Sequence, residues 1–462
     1  MLLCDRKSEL PVKRQIYEEF KQRMLCGDLK AGEAMPSTRA LAETLAVSRS
    51  TVCEAYDMLL AEGFIVVHQG APTRVAPGLT VDSTPQRHDS DAAEPQRRFA
   101  ADFKTGQPDL REFARFAFEQ SIKKAASGLS ADTLGYTGPQ GLPALRAQIS
   151  AYLWRSRGIK ASVSDIFITA GATHALHVAA QVLRPMSQTM IMEDPCHIGM
   201  RKTFEREGFL PIPIPVDEAG LMTDMLVPNH GCCVYVTPSH QFPLGSILSA
   251  SRRAALIRFA RNNESYIIED DYDSEFRYAG EPIAPLYAMD PQRVIYVGTF
   301  SKVLYPALRI GFVILPAALQ EPWVRARTYT DVQNPVLEQA ALADFFETRR
   351  LDRHIQKMRR LYGARRRTLL NSLSEVFADA WQPLGDAAGL HMAVRFNGMR
   401  FEDHAQALLR DWGIRVAAVS RHCIEKGRHD DMLLLGYGHL NDDEIKNGVK
   451  LLGTAIRRLK DT

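Results

Sequence analysis

The strongest chemical signal in this 462-residue sequence is a lysine placed after a run of strand-forming residues. The stretch is RVIYVGTFSKVLYPALRIGF: residues 294–297 read as a strand, Thr299-Phe300-Ser301-Lys302 follow, and Arg309 lies seven residues past the lysine. A lysine at the end of a buried strand is costly unless it is neutral or bonded. Becoming an imine is one way out. Upstream, SYIIEDDYDSEFRY joins a strand run, 266–268, to a group of acids containing Asp270 and then to Tyr272. Acids at the C-terminal end of a parallel strand lie where open α/β folds place ligands. Further upstream, in ITAGATHALHVAAQVL, Gly171-Ala172-Thr173 follow a strand at 166–169 and open a helix. Backbone amides at a helix N-terminus form a phosphate seat. Each motif alone also fits a plainer role. A lysine in a turn is commonly a solvated charge, and paired acids suit a solvated loop or a magnesium ligand pair. Three such motifs, each after a strand, point to one cofactor site.

The elements that must carry these residues fall into zones of different texture. From Phe99 onward, short β-rich runs alternate with helical stretches, which predicts an α/β fold with a largely parallel sheet. Residues 77–98 are rich in charge, and no aliphatic residue larger than alanine follows Val81 there. That composition predicts a flexible linker. Residues 1–76 are compact and helix-rich. Pro11 opens a first helix in which Val12, Ile16, Phe20 and Met24 recur every four residues until Gly27. Ser37 and Ser48 are then N-caps of two short helices, to about Leu45 and Glu62. The turn between them has helix-turn-helix length. Residues 64–67 and 73–75 form a two-stranded wing around Gln69-Gly70-Ala71-Pro72.

Composition excludes several classes. Hydrophobic residues are 45% and charged residues 24%, too apolar for global disorder. The seven cysteines are scattered and none forms a C-x-x-C, so neither a disulfide framework nor a zinc site is expected, and no metal. The first residues form no secretory hydrophobic region. The most apolar stretch, 294–319, is broken by Ser301, Lys302 and Arg309, so no membrane span is expected. A cytoplasmic protein without a membrane partner is expected. The 57 basic and 54 acidic residues leave a net charge of +3, which neither demands nor excludes a polyanionic partner.

The segment GDLKAGEAMPSTRALAETLAVSRSTVCEAYDMLLAEGF resembles the winged helix-turn-helix of GntR-type bacterial regulators, with P-S-x-R-x-L-A and V-S-R-x-T-V-x-x-A-Y in order. The resemblance implies double-stranded operator DNA as partner, with the second helix of the motif in the major groove. Arg49 is then the candidate for a bidentate contact to guanine. Ser48, Ser50 and Thr51 offer hydroxyls and amides to phosphate. Arg39 reaches the backbone or a base edge, and Gln69 and Gly70 place the wing tip near the minor groove. Residues 1–76 hold ten basic and ten acidic residues, so any DNA-facing charge is local. Acids such as Glu18, Glu19 and Glu62 must point elsewhere.

Residues from about 100 to 460 resemble fold-type I aminotransferases, with large and small lobes and pyridoxal 5′-phosphate as cofactor. The resemblance implies that Lys302 holds the cofactor as a Schiff base. Asp270 would pair with the pyridine nitrogen and maintain the electron sink. Tyr272 would bond the ring 3-oxygen, and Thr299, Ser301, Arg309 and the Gly171-Ala172-Thr173 seat would bind the phosphate. Reader, linker and aminotransferase-like domain together resemble the MocR/GabR regulators, as do YTGPQGLPALRAQISAYLWRSRGI and TPSHQFPLG. That family implies a domain-swapped homodimer sensing a small amine or amino-acid effector by transimination at Lys302. Its effectors include γ-aminobutyrate, taurine, vitamin B6 compounds and diaminobutyrate-type products of ectoine breakdown, of which the last is the expectation here. Alternatives are an active aminotransferase carrying a DNA-binding domain, and a regulator that has lost the cofactor.

Departures from the pattern sharpen the expectation. In EDPCHIG, His197 takes the place of the aromatic that stacks on the pyridine ring, and Cys196 replaces a glycine. Gln241 or His240 falls where aminotransferases have an asparagine approaching the 3-oxygen. In MLLLGYG, Leu434 and Leu435 stand where an arginine would hold a substrate carboxylate, and an apolar pair cannot do so. Arg421 is a substitute anchor or a surface arginine. Tyr136 would reach the partner subunit's cofactor. Sensing rather than turnover is therefore expected.

Overall fold

The computed structural model describes residues 8, 10–79, 98–228, 231–280, 283–385 and 387–460. They belong to two compact units, Met1–Gln96 and Arg97–Thr462. The expected linker at 77–98 lies almost wholly outside the described residues.

In the first unit, helices Val12–Leu25, Thr38–Leu45 and Arg49–Ala61 precede an antiparallel wing of Ile65–Val66 and Arg74–Val75. Ser37 Oγ accepts from the Ala40 amide at 3.1 Å and Ser48 Oγ from the Thr51 amide at 3.2 Å, so both predicted caps form. Ala46, in the left-handed region at φ 51°, turns the chain between the two helices. The wing's second strand also binds the segment before the second helix, with Met35 N to Thr73 O at 2.8 Å and Val75 N to Glu33 O at 3.0 Å. The four-residue spacing of the first helix buries Ile16, Tyr17, Phe20 and Met24 against Val52, Ala55 and Leu59. Each fully buried large side chain contributes about 1.5–3 kcal/mol, so this small core suffices to fix a rigid platform.

The second unit is built on an eight-stranded sheet. Its order is Ile166–Thr169, Gly311–Ile314, Val294–Thr299, Tyr266–Asp271, Cys233–Val236, Thr189–Asp194, Leu210–Asp217 and Gly220–Leu221. All neighbours pair in parallel except around Gly311–Ile314 and at the Gly220–Leu221 edge. Side chains alternate across the strands, so both faces are buried. Ile268, Ile295, Val297 and Val313 pack with helix Ala172–Leu183 and Trp323. Ile267, Val294, Tyr296 and Phe312 pack with the opposite layer, which includes Leu145, Ile149 and Phe345. A smaller antiparallel sheet orders Trp381–Leu384, His391–Phe396, Met432–Gly436 and Ala417–Ala418. The long helix Arg350–Phe377 and the last helix, Asp442–Lys460, pack together beside it. Ala101–Asp102 pairs with Ile414–Arg415, tying the start of the unit to this lobe. Among the described residues, no helix is long and apolar enough to cross a membrane.

Candidate functional site: a cofactor cavity and a separate DNA reader

The strand Tyr266–Asp271 runs farther than its apolar core predicts and carries the acids on it. The two-residue period then sends the three neighbours in different directions. Glu269 accepts the Leu286 and Tyr287 amides, both at 2.9 Å. Asp271 receives Arg157 and the Tyr296 hydroxyl on the same side of the sheet. Asp270 faces the other way, into a cavity of about 220 Å³ at the carboxyl ends of the parallel strands. Its Oδ2 accepts from Tyr235 at 2.8 Å, and its buried Oδ1 has no partner. Burial, then Asp271 and Asp273, raise its pKa to about 7, against the pull of Tyr235. A buried carboxylate oxygen without a partner, on a side chain that lines the cavity, suits a ring N–H that becomes cationic when bonded.

Lys302 lines the same cavity, just past strand Val294–Thr299, and its Nζ donates to the Gly106 carbonyl at 2.8 Å. Burial lowers its pKa, Asp273 and Asp270 oppose, and Lys104 and Arg309 push it further down. A larger fraction of neutral amine is the form that attacks a carbonyl. Thr299, Ser301, Ala172, Thr173 and Arg309 lie around one end of the cavity. Thr299 Oγ1 donates to Ser301 Oγ at 3.0 Å. Arg309, at φ 50°, directs its guanidinium to the Ala170 carbonyl. Gly171 does not line the cavity. It caps helix Ala172–Leu183 at φ 87°, and a Cβ there would lie 2.9 Å from Arg309 Nη2. Glycine is required because the arginine passes over it. Hydroxyls, a guanidinium and a helix N-terminus meet here as an anion seat.

Tyr272 reaches the cavity beside His240, its hydroxyl 3.0 Å from His240 Nδ1. That nitrogen also lies 3.0 Å from Asp273, and Nε2 lies 3.4 Å from the Gly385 carbonyl. Burial alone would lower the His240 pKa, but the Asp273 carboxylate beside it raises it above the ordinary value. The Tyr272 hydroxyl and the Asp273 carboxylate thus meet at the same His240 nitrogen. His197 lines the cavity and also caps helix Ile198–Arg206, its Nδ1 accepting from Gly199 at 3.1 Å and Met200 at 3.4 Å. Its imidazole is held neutral and available for stacking.

Three expectations need correction or relocation. Gln241 does not reach the cavity. Its Nε2 donates to the Pro195 and Phe242 carbonyls, both at 2.7 Å, and its Oε1 accepts the Leu244 amide at 3.0 Å, so the side chain is spent on its own loop. His240 is likewise committed. Arg421 is exposed and away from the cavity, because the short turn Val419–His422 buries its two end residues and turns the middle outward. Tyr136 is 90% exposed and lies outside this chain's cavity. Leu434 and Leu435 are fully buried in the small sheet. The cavity also contains residues to which the motifs assigned no role: Tyr235, Asp273, Phe242 and His391. Tyr235 was the most accessible to reasoning, since its strand runs beside the acidic one.

The reader's candidates are all on the surface or near it. Arg49 is exposed and its Nε bonds Thr38 Oγ1 at 3.4 Å. Ser48 Oγ lies 2.8 Å from Ser50 Oγ and 2.7 Å from Thr51 Oγ1, a hydroxyl cluster at the start of the helix. Among the described residues Arg39 pairs with Glu43, at 3.6 Å, both well exposed. Gln69 and Gly70 lie in the exposed turn between the wing strands, with Gly70 at φ 79°. Glu62 is taken up by the Tyr17 hydroxyl at 2.6 Å and Glu18 by Arg14 at 3.1 Å.

The fold and cavity define a pyridoxal-phosphate domain of the aminotransferase type. Residues 101–429 match the family described as aminotransferase class I and II, and residues 12–75 match the bacterial regulatory proteins of the gntR family. The chain is similar to the multiple substrate aminotransferase of Thermococcus profundus, with TM-score 0.73 and 24% identity over 80% of this chain and 94% of that one. Over its whole length it is 31% identical to the probable rhizopine catabolism regulatory protein MocR of Rhizobium meliloti, covering 97% of that protein. It is 35% identical to the HTH-type regulator YhdI of Bacillus subtilis, over 98% of this chain and 97% of that protein. The pyridoxine biosynthesis regulator PdxR of Corynebacterium glutamicum is 30% identical over 94% of this chain and 93% of its own. The chain belongs to the MocR-type family of transcriptional regulators, GntR-type DNA-binding domains fused to an aminotransferase-like domain that takes pyridoxal phosphate.

Proposed function

We propose that this regulator senses a small amine or amino acid through Lys302 and passes that state to its DNA readers. The observation that carries the reading is the charge inventory of the cavity. Among its described lining residues the cations are Lys302 and Arg309, one at the carbonyl-binding position and one at the anion seat. Among the described residues of this chain no further cation lines the cavity to fix a substrate carboxylate, and an unfixed substrate is a poor one for turnover.

When bound, pyridoxal phosphate supplies an electrophilic carbon that holds an amine covalently, an electron sink and a visible absorption. This chain's residues do the rest. Thr299, Ser301, Arg309 and the Ala172-Thr173 helix start, which Gly171 caps, would hold the phosphate. Asp270 would hold the ring nitrogen's proton, Tyr272 would bond the 3-oxygen, and His197 would cover the ring face. Lys302 would hold the cofactor, and its Nζ is the group that an effector's amine would replace. A diaminobutyrate-type product of ectoine breakdown is the finer reading of the effector. Residues 1–76 serve as reader, 77–98 as linker and 99–462 as sensor, in a cytoplasmic, domain-swapped homodimer to which Tyr136 of one subunit adds a contact for the other. Effector binding and operator binding are then two linked equilibria.

A working aminotransferase is the second reading, favoured by the complete Lys302–Asp270 pair. Incubation with amino donors and keto acids decides between them. Sensing predicts at most a single turnover, whereas sustained amino-group transfer establishes the enzyme.

A further inference from the structure

A second cavity, of about 370 Å³, lies apart from the cofactor site and, among the described residues, shares no lining residue with it. It forms where the end of helix Pro143–Arg157, the loop after the acidic strand and the long helix Arg350–Phe377 come together. Three arginines line it, one from each segment: Arg157, Arg277 and Arg359. Arg157 is balanced by Asp271, to which its Nη2 donates, and its side chain is only 8% exposed. The other two have no such acid. Arg359 donates from Nε to the Glu275 carbonyl at 2.7 Å. The half-buried Arg277 makes no side-chain hydrogen bond or ion pair among the described residues, and its Nε is buried without a partner. Its guanidinium lies against Gly280, φ 75°, where a Cβ would come within 2.8 Å of Nη2. Burial and the neighbouring Arg157 charge both hold its pKa below the ordinary value. Among the described lining residues the one acid is Glu275. Its carboxylate accepts from the Tyr152 hydroxyl at 2.9 Å, and burial and Asp271 hold its pKa above the usual carboxylate range. A cation half-buried beside another cation, without a counter-charge, is costly unless an anion completes the set.

We propose that this cavity binds a small phosphate-bearing anion, either free phosphate or a phosphomonoester. The proposal does not depend on the sensing reading, because the site is built on the Asp271 side of the strand and the cofactor cavity on the Asp270 side. Guanidinium groups present planar forks of donors that match phosphate oxygens. Arg277 and Arg359 bring two positive charges without an ion-pair partner among the described residues, so a dianion balances both, whereas a single carboxylate leaves one over. The volume falls within the roughly 300–1,000 Å³ of small-molecule sites and admits a phosphomonoester of a few carbons. The loop that carries Arg277 also joins the small lobe. Arg277 bridges to Ala388, and the Tyr278 amide donates to the Ala387 carbonyl at 2.9 Å. An anion held here therefore braces the junction between the acidic strand and the small lobe.

The test uses full-length holoprotein, with its cofactor in place, and calorimetric titration of inorganic phosphate, glycerol 3-phosphate and succinate, against chloride at matched ionic strength. Phosphate or glycerol 3-phosphate should bind saturably, one per chain, and raise the melting temperature of the cofactor domain. Arg277→Gln should weaken that binding at least about tenfold, the loss of a charge-assisted contact, with the visible cofactor band unchanged. Arg277→Lys, which keeps the charge but not the fork, should retain part of the affinity. Arg359→Gln, at an exposed helix position, should weaken binding severalfold and serves as the test if Arg277→Gln does not fold. Binding that does not saturate, or that is equal in both glutamine variants and the wild type, is an adventitious ion only and overturns the proposal. So does a phosphate titration that strips the cofactor band, which places the anion at Arg309 instead. Succinate binding as tightly as the phosphates overturns the phosphate assignment. Weakened operator binding in Arg277→Gln, without phosphate binding in the wild type, assigns these arginines to DNA and overturns the small-anion site.

Discussion

The reader and the cavity solve opposite problems. The reader's functional groups are exposed and come from one contiguous stretch, Arg39 to Gly70. Their present partners hold them loosely: Arg39 meets Glu43 at 3.6 Å in the open, and exposed pairs of this kind contribute about 0–1 kcal/mol. DNA phosphates and base edges can displace such partners at little cost. The cavity's groups are buried and come from segments as distant as Gly106 and His391. There, burial moves ionisation, as for Asp270, and polar groups are already engaged with one another, as in Tyr235 with Asp270 and Thr299 with Ser301. The comparison teaches that neutral overall charge is compatible with both functions. In the reader the charge is local and free to be recruited, and in the cavity it is rationed to two cations with assigned places.

Four perturbations break or sharpen this contrast. The largest effect is expected from Lys302→Ala, which removes the amine that holds the cofactor. The visible band should vanish entirely, while operator binding persists and no longer answers to amines; absorption and gel-shift measurements check both halves. Arg49→Ala is next. Loss of a base contact costs about 1–3 kcal/mol, so operator affinity should fall roughly tenfold to a hundredfold with the cofactor spectrum unchanged. An altered spectrum would mean that the two regions are not separable in this way.

The third concerns pH. Lys302 has a pKa below that of an ordinary lysine because it is buried, so its neutral fraction at any pH below 10.5 exceeds the ordinary one. Cofactor uptake by the apoprotein should therefore accelerate with rising pH and level off before pH 10.5. A rate still climbing through pH 10.5 contradicts the buried placement. The smallest effect is that of Ser48→Ala. Loss of one N-cap costs about 1 kcal/mol and should lower the reader's melting temperature by several degrees in calorimetry, leaving the cofactor domain's transition in place.

Legibility followed the same divide. The reader could be read from sequence because its caps, its core spacing and its candidate contacts are neighbours along the chain. Ser37, Ser48 and the Ile16–Phe20–Met24 stripe each act within a turn or two of where they sit. In the cavity, Lys302 and Asp270 were legible because each follows from a strand and a motif. Their partners were not. Tyr235 meets Asp270 through the order of parallel strands, and His391 arrives from the small lobe. Gln241 was misplaced because a short loop satisfied its amide from within, which spacing does not reveal. The strand Tyr266–Asp271 outran its apolar core because Glu269 and Asp271 find buried partners across the sheet.

The central claim is that amine exchange at Lys302 and operator binding are one linked equilibrium. The most direct measurement titrates an amine into holoprotein mixed with an operator fragment selected by the protein itself, recording the visible band and operator occupancy in the same sample. Both signals should move at the same amine concentration in the wild type, and neither should move in Lys302→Ala. An operator response that survives in Lys302→Ala, or a band shift that leaves operator occupancy unchanged in the wild type, would contradict the claim.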